Sequence, residues 1–224
     1  MRKAISSDQM YRIEENGHNL GMRRFLMMEN AGHGLADFVV DRFKGNLKNK
    51  KIVAVCGTGN NGGDGFVASR HLAGYGPKIL VLLLGNPSEL KSEEARLNWG
   101  IIEKMDSIEI IFGKELTAEV LKRIRSASII LDGIFGTGIK GDIREPYSSA
   151  IDAINNSVRA YVVSIDVPSG FDPNTAKIHE KCVQADATIT FHRLKVGLAK
   201  GRKYTGPVHV EWIGIPPEAE KGIV

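Results

Sequence analysis

Short runs of almost unbroken Val, Ile and Leu recur along residues 51–166, separated by stretches of helical spacing. This alternation limits the fold more than any other feature of the chain. The runs are 51–55 (KIVAV), 78–84 (KILVLLL), 108–112 (IEIIF), 128–132 (SIILD) and 160–166 (AYVVSID). Helical spacing falls near 64–75, 92–105, 117–125 and 146–156. Strands with no polar alternation are buried on both faces, as in a parallel sheet covered by helices. Right-handed crossovers between them give a doubly wound α/β sandwich. Two further runs, 187–191 and 208–213, follow without a long helix between them. They extend the sheet, with the last a candidate antiparallel strand.

Ahead of the sheet, residues 7–45 read as helix. Ser7 or Asp8 caps a first segment running to about Asn16, Gly21 breaks the pattern, and 22–43 resumes it. Met27 and Met28 belong to the core on this reading. Asn30 is the odd polar residue, either exposed or pointing into a site. No linker or low-complexity tract interrupts the 224 residues, so one domain is expected, with the sandwich spanning about 50–217.

Bulk properties exclude several classes. The net charge of +4 and pI near 9.0 come from scattered Lys and Arg, which reads as a solvated surface and not a nucleic-acid patch. No run of ~18 apolar residues exists, so no membrane span is expected. The N-terminus turns polar after Ile5 and lacks a signal-peptide core. Two cysteines, Cys56 and Cys182, make neither a disulfide framework nor a zinc knuckle, and the six histidines sit singly. The expected compartment is the reducing cytoplasm.

An open parallel sheet binds ligands beyond the C-terminal ends of its strands. The informative residues therefore follow the apolar runs. After the first comes Gly57-Thr-Gly59-Asn-Asn-Gly62, and after the fourth comes Asp132, then Gly136-Thr-Gly138-Ile-Lys-Gly141-Asp142. After the fifth comes Asp166-Val-Pro-Ser169-Gly170. Two of these contain G-x-G-x-x-G, which admits a pyrophosphate to backbone amides at a helix start, although tight turns alone would use the same glycines. A dinucleotide fold of the dehydrogenase kind also needs an acid ~20 residues on for the ribose. Here the second run ends Leu83-Leu84-Gly85-Asn86, with no acid. Asn60, Asn61, Asp64, Asp132, Asp166 and Ser169 all fall on one expected edge. Oxygen-only ligands suit a hard cation better than zinc, and a spare carboxylate can act as general acid and base. A Ser169 nucleophile is disfavoured because no His lies in these loops.

The ordered set NNGGDG, D-x3-GTGxxGxI, SIDVPSGFD, ADATITFxxxKxG and GxVxVxxIGIP, with Met-x-Asn-Ala-Gly at 28–32, resembles the NAD(P)H-hydrate epimerase family, the YjeF N-terminal domain. The resemblance runs from about residue 7 to 217. It implies a Rossmann-like three-layer αβα sandwich, usually a homodimer, acting on NADH or NADPH hydrated at C6 of the nicotinamide ring. The R and S epimers would interconvert, supplying a separate dehydratase that accepts only S. By position, Asn60, Asn61, Gly62, Gly63 and Asp64, with Gly136, Thr137, Gly138, Ile139, Lys140, Gly141 and Asp142, would line the dinucleotide site. Asp166 would contact the reacting end as acid/base. Asn61, Asp132 and Ser169 would bind one potassium ion, with no zinc and no flavin. Lys195 is either a phosphate ligand or a surface lysine. Where relatives often place a glycine this chain has Ala176, so a different turn is expected there. The chain ends at Val224, before any fused dehydratase domain, so dehydration is not the expected activity.

Two other classes compete. A non-catalytic scaffold of the same fold could lose its acids, whereas Asp64, Asp132 and Asp166 are kept. An NAD-dependent oxidoreductase would need the missing ribose acid and a proton-relay His or Tyr-Lys pair.

Overall fold

The computed structural model describes residues 3–138 and 142–224. Seven strands form one sheet in the order β3-β2-β1-β4-β5-β6-β7. They are β1 (Lys51–Cys56), β2 (Lys78–Leu84), β3 (Ile108–Gly113), β4 (Ile129–Gly133), β5 (Tyr161–Ile165), β6 (Ala187–Phe191) and β7 (Val208–Glu211). In β1 and β2 only the first residue is exposed, as continuous apolar runs require, whereas the edge strands β3 and β7 are partly exposed. The antiparallel expectation for the last strand is wrong: β7 pairs parallel to β6. Residues 192–207, including the short helix α7 (Arg202–Thr205), are long enough to carry the chain back to the starting edge.

Period-two alternation divides the strand side chains between two layers. Ile52, Ala54, Val81 and Leu83 face one core with α1 (Ser7–Asn19), α2 (Arg24–Arg42), α3 (Asn60–Ala73) and α4 (Glu93–Ile102). Val53, Val55, Leu80 and Leu82 face the other, under α5 (Ala118–Arg125) and α6 (Tyr147–Asn155). Met27 and Met28 are buried in the first core, as expected.

Three local differences matter for the site. Helix α1 is capped one residue earlier than expected, by Ser6, whose hydroxyl accepts from Gln9 N while the Gln9 side chain accepts from Ser6 N. It runs on to Asn19, past the expected end at Asn16. Helix α3 begins at Asn60, not near 64, so the glycine-rich stretch is its first turn. Only glycine fits at 62, where a Cβ would lie 2.0 Å from the Gly57 carbonyl oxygen, whereas a Cβ on Gly63 would press on the movable end of Met28, 2.6 Å from its Cε. Asn30 is exposed and donates to Ile213 O at 2.9 Å, fastening the segment after β7.

The strand order reverses between β1 and β4, which puts the expected crevice at their C-terminal ends. Helix α1 is carried to that edge from both sides. Ile5 bridges Lys195 in the segment after β6, with Ile5 N donating to Leu194 O at 2.9 Å. From the other end, the C-terminal segment holds α1 through Gln9 to Ile223 O and Asn16 to Ala219 O.

Candidate active site

The three singled-out turns meet. Gly57 N donates to Gly133 O at 3.0 Å, and the Asn61 amide donates to Phe135 O at 3.0 Å. Phe135 N donates to Ser169 Oγ at 2.9 Å, and Ser169 Oγ in turn donates to Asp132 Oδ1 at 2.5 Å. Asp132 Oδ2 accepts from Ser169 N at 2.9 Å and Ser164 Oγ at 2.7 Å. Asp132 and Ser169 are wholly buried. Burial pushes the Asp132 carboxyl up, against the Ser169, Ser164 and Ile134 donors that hold its charge.

Among the described residues that charge is met by hydroxyls and amides alone. Carboxylate, hydroxyl and carbonyl oxygens of Asp132, Ser169 and Phe135 stand together, with Asn61 Oδ1 beside the space that a Gly136 side chain would fill. This donor chemistry fits an alkali cation. Asn61 is buried with the pair, so all three residues expected at the metal are neighbours.

The first turn of α3 follows Gly59, which supplies no side-chain cap, so its leading amides lack that partner. A Cβ on Gly59 would meet nothing within 4 Å. The open approach to these amides makes an anion cradle of the helix start. Asn60 is exposed beside it, Gly136 and Thr137 are half-buried, and Gly138 and Asp142 are exposed. Ile139, Lys140 and Gly141 lie outside the described residues.

Next to the cradle lies a cavity of about 520 Å³, bordered by Tyr11, Glu14, Arg24, Met28, Asp64 and Phe191 among others. This is ordinary size for a small-ligand site. Met27 and Met28 serve the core and also wall this cavity.

Asp166 follows β5 at φ 61°, the centre of a tight turn in which Val167 N donates to Ile165 O at 2.7 Å. A left-handed non-glycine residue at a strand end is strained, and such strain collects at functional sites. Its Oδ1 accepts from Lys195 Nζ at 2.6 Å, Thr190 Oγ1 at 3.0 Å and Phe191 N at 3.4 Å. Among the described residues all three contacts fall on Oδ1, and Oδ2 is the oxygen that can meet a ligand. Asp166 is not itself among the residues bordering the cavity; it adjoins Phe191, which is.

Lys195 corrects the sequence reading. It is not a surface lysine: its side chain is 1% exposed, with Nζ also donating to Phe191 O at 2.8 Å. Burying an ammonium requires a partner charge, and Asp166 is that partner.

Two further carboxyls share this field. Burial is the main cause that lifts Asp64 well above the usual range, helped by the charges of Asp166 and Glu14 and opposed by Lys195. Burial also raises Glu14 to about 7, with Lys195 and Arg24 pulling down and Asp166 pushing up. Sequence reasoning missed Glu14. The available signal was its place on α1 beside the buried residues Met10, Ile13 and Gly17, an acid on an otherwise apolar stripe.

Residues 25–197 match the family model described as YjeF-related protein N-terminus. The chain belongs to the YjeF-related N-terminal family, that of the NAD(P)H-hydrate epimerases. Among members of this family, a Cenarchaeum symbiosum protein named NAD(P)H-hydrate epimerase is 50% identical over 98% of this chain and 99% of its own length. A Nitrosopumilus maritimus protein of the same name is 47% identical over the same shares. A Pyrobaculum aerophilum protein named bifunctional NAD(P)H-hydrate repair enzyme is 43% identical over 97% of this chain, which spans 43% of that longer protein. A yeast crystal structure covers 93% of this chain and 88% of its own with a TM-score of 0.80 at 24% identity, a likeness of fold. The expected three-layer αβα sandwich is therefore the fold of this family member.

Proposed function

We propose that this chain is an NAD(P)H-hydrate epimerase, an isomerase that interconverts the R and S forms of NADH or NADPH hydrated at C6 of the nicotinamide ring. The observation that carries it is the pair of relatives bearing that name at 50% and 47% identity, each matched over almost its full length. The convergence of the three turns and the retained carboxyls supply the chemistry.

The hydroxyl at C6 neighbours the ring nitrogen N1. When an acid protonates that hydroxyl, the C6–O bond breaks, water departs, and the N1 lone pair forms an iminium. Water adds back to either face to give either epimer. The residues divide these tasks. The Asp166 carboxylate, held as an acceptor by Lys195 and Thr190, stabilises the cation through its field and orients water through Oδ2. We divide the acid–base role expected of Asp166, and give proton donation to a carboxylic acid of the adjoining cavity, where Asp64 and Glu14 are both raised. The ring enters the cavity, and the phosphates lie along the α3 start at Asn60–Gly62. Gly136, Thr137, Gly138 and Asp142 would line the remainder of the dinucleotide site.

Asn61, Asp132 and Ser169 would hold a potassium ion. When bound it supplies positive charge that balances the buried Asp132 and ties the three turns together. Melting in potassium chloride against choline chloride at equal ionic strength tests this: a higher melting temperature in potassium, lost in Asp132→Asn, supports it.

The whole chain acts as one unit on this reading, as a homodimer in the cytoplasm. The bifunctional names of longer relatives support a separate NAD(P)H-hydrate dehydratase as its functional partner. Among the described residues no helix is long and apolar enough to cross a membrane. Incubation of purified R epimer with the protein, followed by chromatography, tests the activity. Appearance of S up to equilibrium is expected; an unchanged substrate or net hydride transfer overturns the reading.

A further inference from the structure

The two epimers carry the C6 hydroxyl on opposite faces of the ring. A ring held in one orientation therefore needs protons handled on both faces, and one carboxyl reaches only one of them. The cavity presents two carboxyls from separate elements, Glu14 from α1 and Asp64 from α3. Helix α1 reaches this edge through the Ile5–Lys195 bridge and the C-terminal clamp, whereas α3 starts at the tip of β1. Resting on the epimerase reading, we propose that Glu14 and Asp64 are the two catalytic acid–base residues, one for each face of the nicotinamide ring, with the Asp166–Lys195 pair as the fixed charge beside them.

The surroundings match this role. Glu14 is faced by Lys195, Asp166 and Arg24, and Asp64 by Asp166, Glu14 and Lys195. The charge of Glu14 is among the causes that raise Asp64, so the two carboxyls do not both ionise freely. One is then acid while the other is base, which is the state each turnover needs.

The step balances without a co-reactant. With Asp64 protonated, its proton passes to the departing C6 hydroxyl, the C6–O electron pair leaves with the new water, and the N1 lone pair closes the iminium. A water on the other face gives its proton to the Glu14 carboxylate as its oxygen bonds to C6, and the iminium electron pair returns to N1. One proton has moved from Asp64 to Glu14. The reverse turnover, or exchange through solvent, restores it.

Oxygen-18 water separates the two faces. Each pure epimer is incubated with wild-type, Glu14→Gln and Asp64→Asn protein, and both inversion and label uptake are followed by chromatography and mass spectrometry. Wild type is expected to take up one solvent oxygen per inversion. Each variant should lose inversion by about 100-fold or more, the scale of acid–base catalysis. Each should still exchange the hydroxyl of one epimer, and the retained epimer should differ between the two variants. Parallel loss of exchange in both epimers, or inversion within twofold of wild type in either variant, overturns the proposal. Melting curves establish that the isosteric amides are folded; if Asp64→Asn is not, the one-sided pattern in Glu14→Gln alone decides, and Glu14→Asp should recover part of its inversion. Wild type that never inverts would instead sink the epimerase reading, a distinct result.

Discussion

Lys195 Nζ lies 2.6 Å from Asp166 Oδ1, with the lysine side chain 1% and the aspartate 13% exposed. The last residue of the β5 excursion is thereby tied to the segment after β6, and a strained backbone position is fixed by charge.

Breaking that pair on one side leaves an uncompensated buried ion. Asp166→Ala is expected to destabilise the fold by about 3–5 kcal/mol, whereas Asp166→Asn with Lys195→Met together should cost far less. Urea unfolding of the single and double variants measures the difference. The same Asp166→Ala protein, assayed where it is folded, is expected to epimerise at least ~100-fold more slowly. A full rate would remove Asp166 from the chemistry.

Glu14 makes stability depend on pH with a definite sign. Its carboxyl titrates near 4.5 when unfolded and about 7 when folded, so between those values the folded state binds the extra proton. Stability from this group is therefore present below about pH 4.5 and falls as pH rises to about 7, then stays level. Relative to Glu14→Gln, wild type should lose on the order of 2 kcal/mol between pH 5 and pH 8. Parallel stability curves would show that Glu14 carries no such linkage.

The glycines of the first α3 turn differ in their work, and two substitutions separate them. Gly62→Ala drives a methyl to 2.0 Å from the Gly57 carbonyl, a backbone atom that cannot step aside. Its expected cost is on the order of 3 kcal/mol. Gly59→Ala adds a methyl to open space at φ −92°, which alanine adopts freely. Its stability should change by less than about 0.5 kcal/mol, while KM for the hydrate rises as the methyl crowds the anion cradle. Thermal melts and kinetics on both variants check the pair.

How far these features were readable in the sequence varied with the range of the interaction. Runs such as 78–84 fixed their own burial, because a strand apolar at every position has nowhere to lie but inside a parallel sheet. Placing Asp132, Ser169 and Asn61 at one edge followed from the same rule, since strand ends in such a sheet share a rim. The direction of β7 was not legible, because a connection as long as 192–207 permits either sense. Lys195 sits in HRLKVG, a stretch that looks solvated, and its burial depends on Asp166, 29 positions away. Glu14 reaches the cavity only because Ile5 bridges the segment after β6 and the C-terminus clamps α1, both contacts between distant parts of the chain.

Ala176 offers the cleanest backbone test. It adopts φ 65°, the left-handed conformation that glycine takes without strain. The turn is held by Asp172, whose backbone N donates to Lys177 O and whose carbonyl accepts from Ala176 N at 3.0 Å. The Asp172 carboxylate also accepts from Asn174 N and Thr175 N, so the chain cannot relax to a negative φ without losing these bonds. An L-residue in this region costs roughly 1–2 kcal/mol. Glycine removes that strain and returns part of the gain as unfolded-state entropy. Ala176→Gly is therefore expected to stabilise the protein by about 1 kcal/mol, read as a higher urea midpoint at unchanged slope. The residue lies outside the cavity and the three turns, so turnover should stay at the wild-type rate. A lower midpoint would mean that the bonds around Asp172, and not the Cβ, set the energy of this turn.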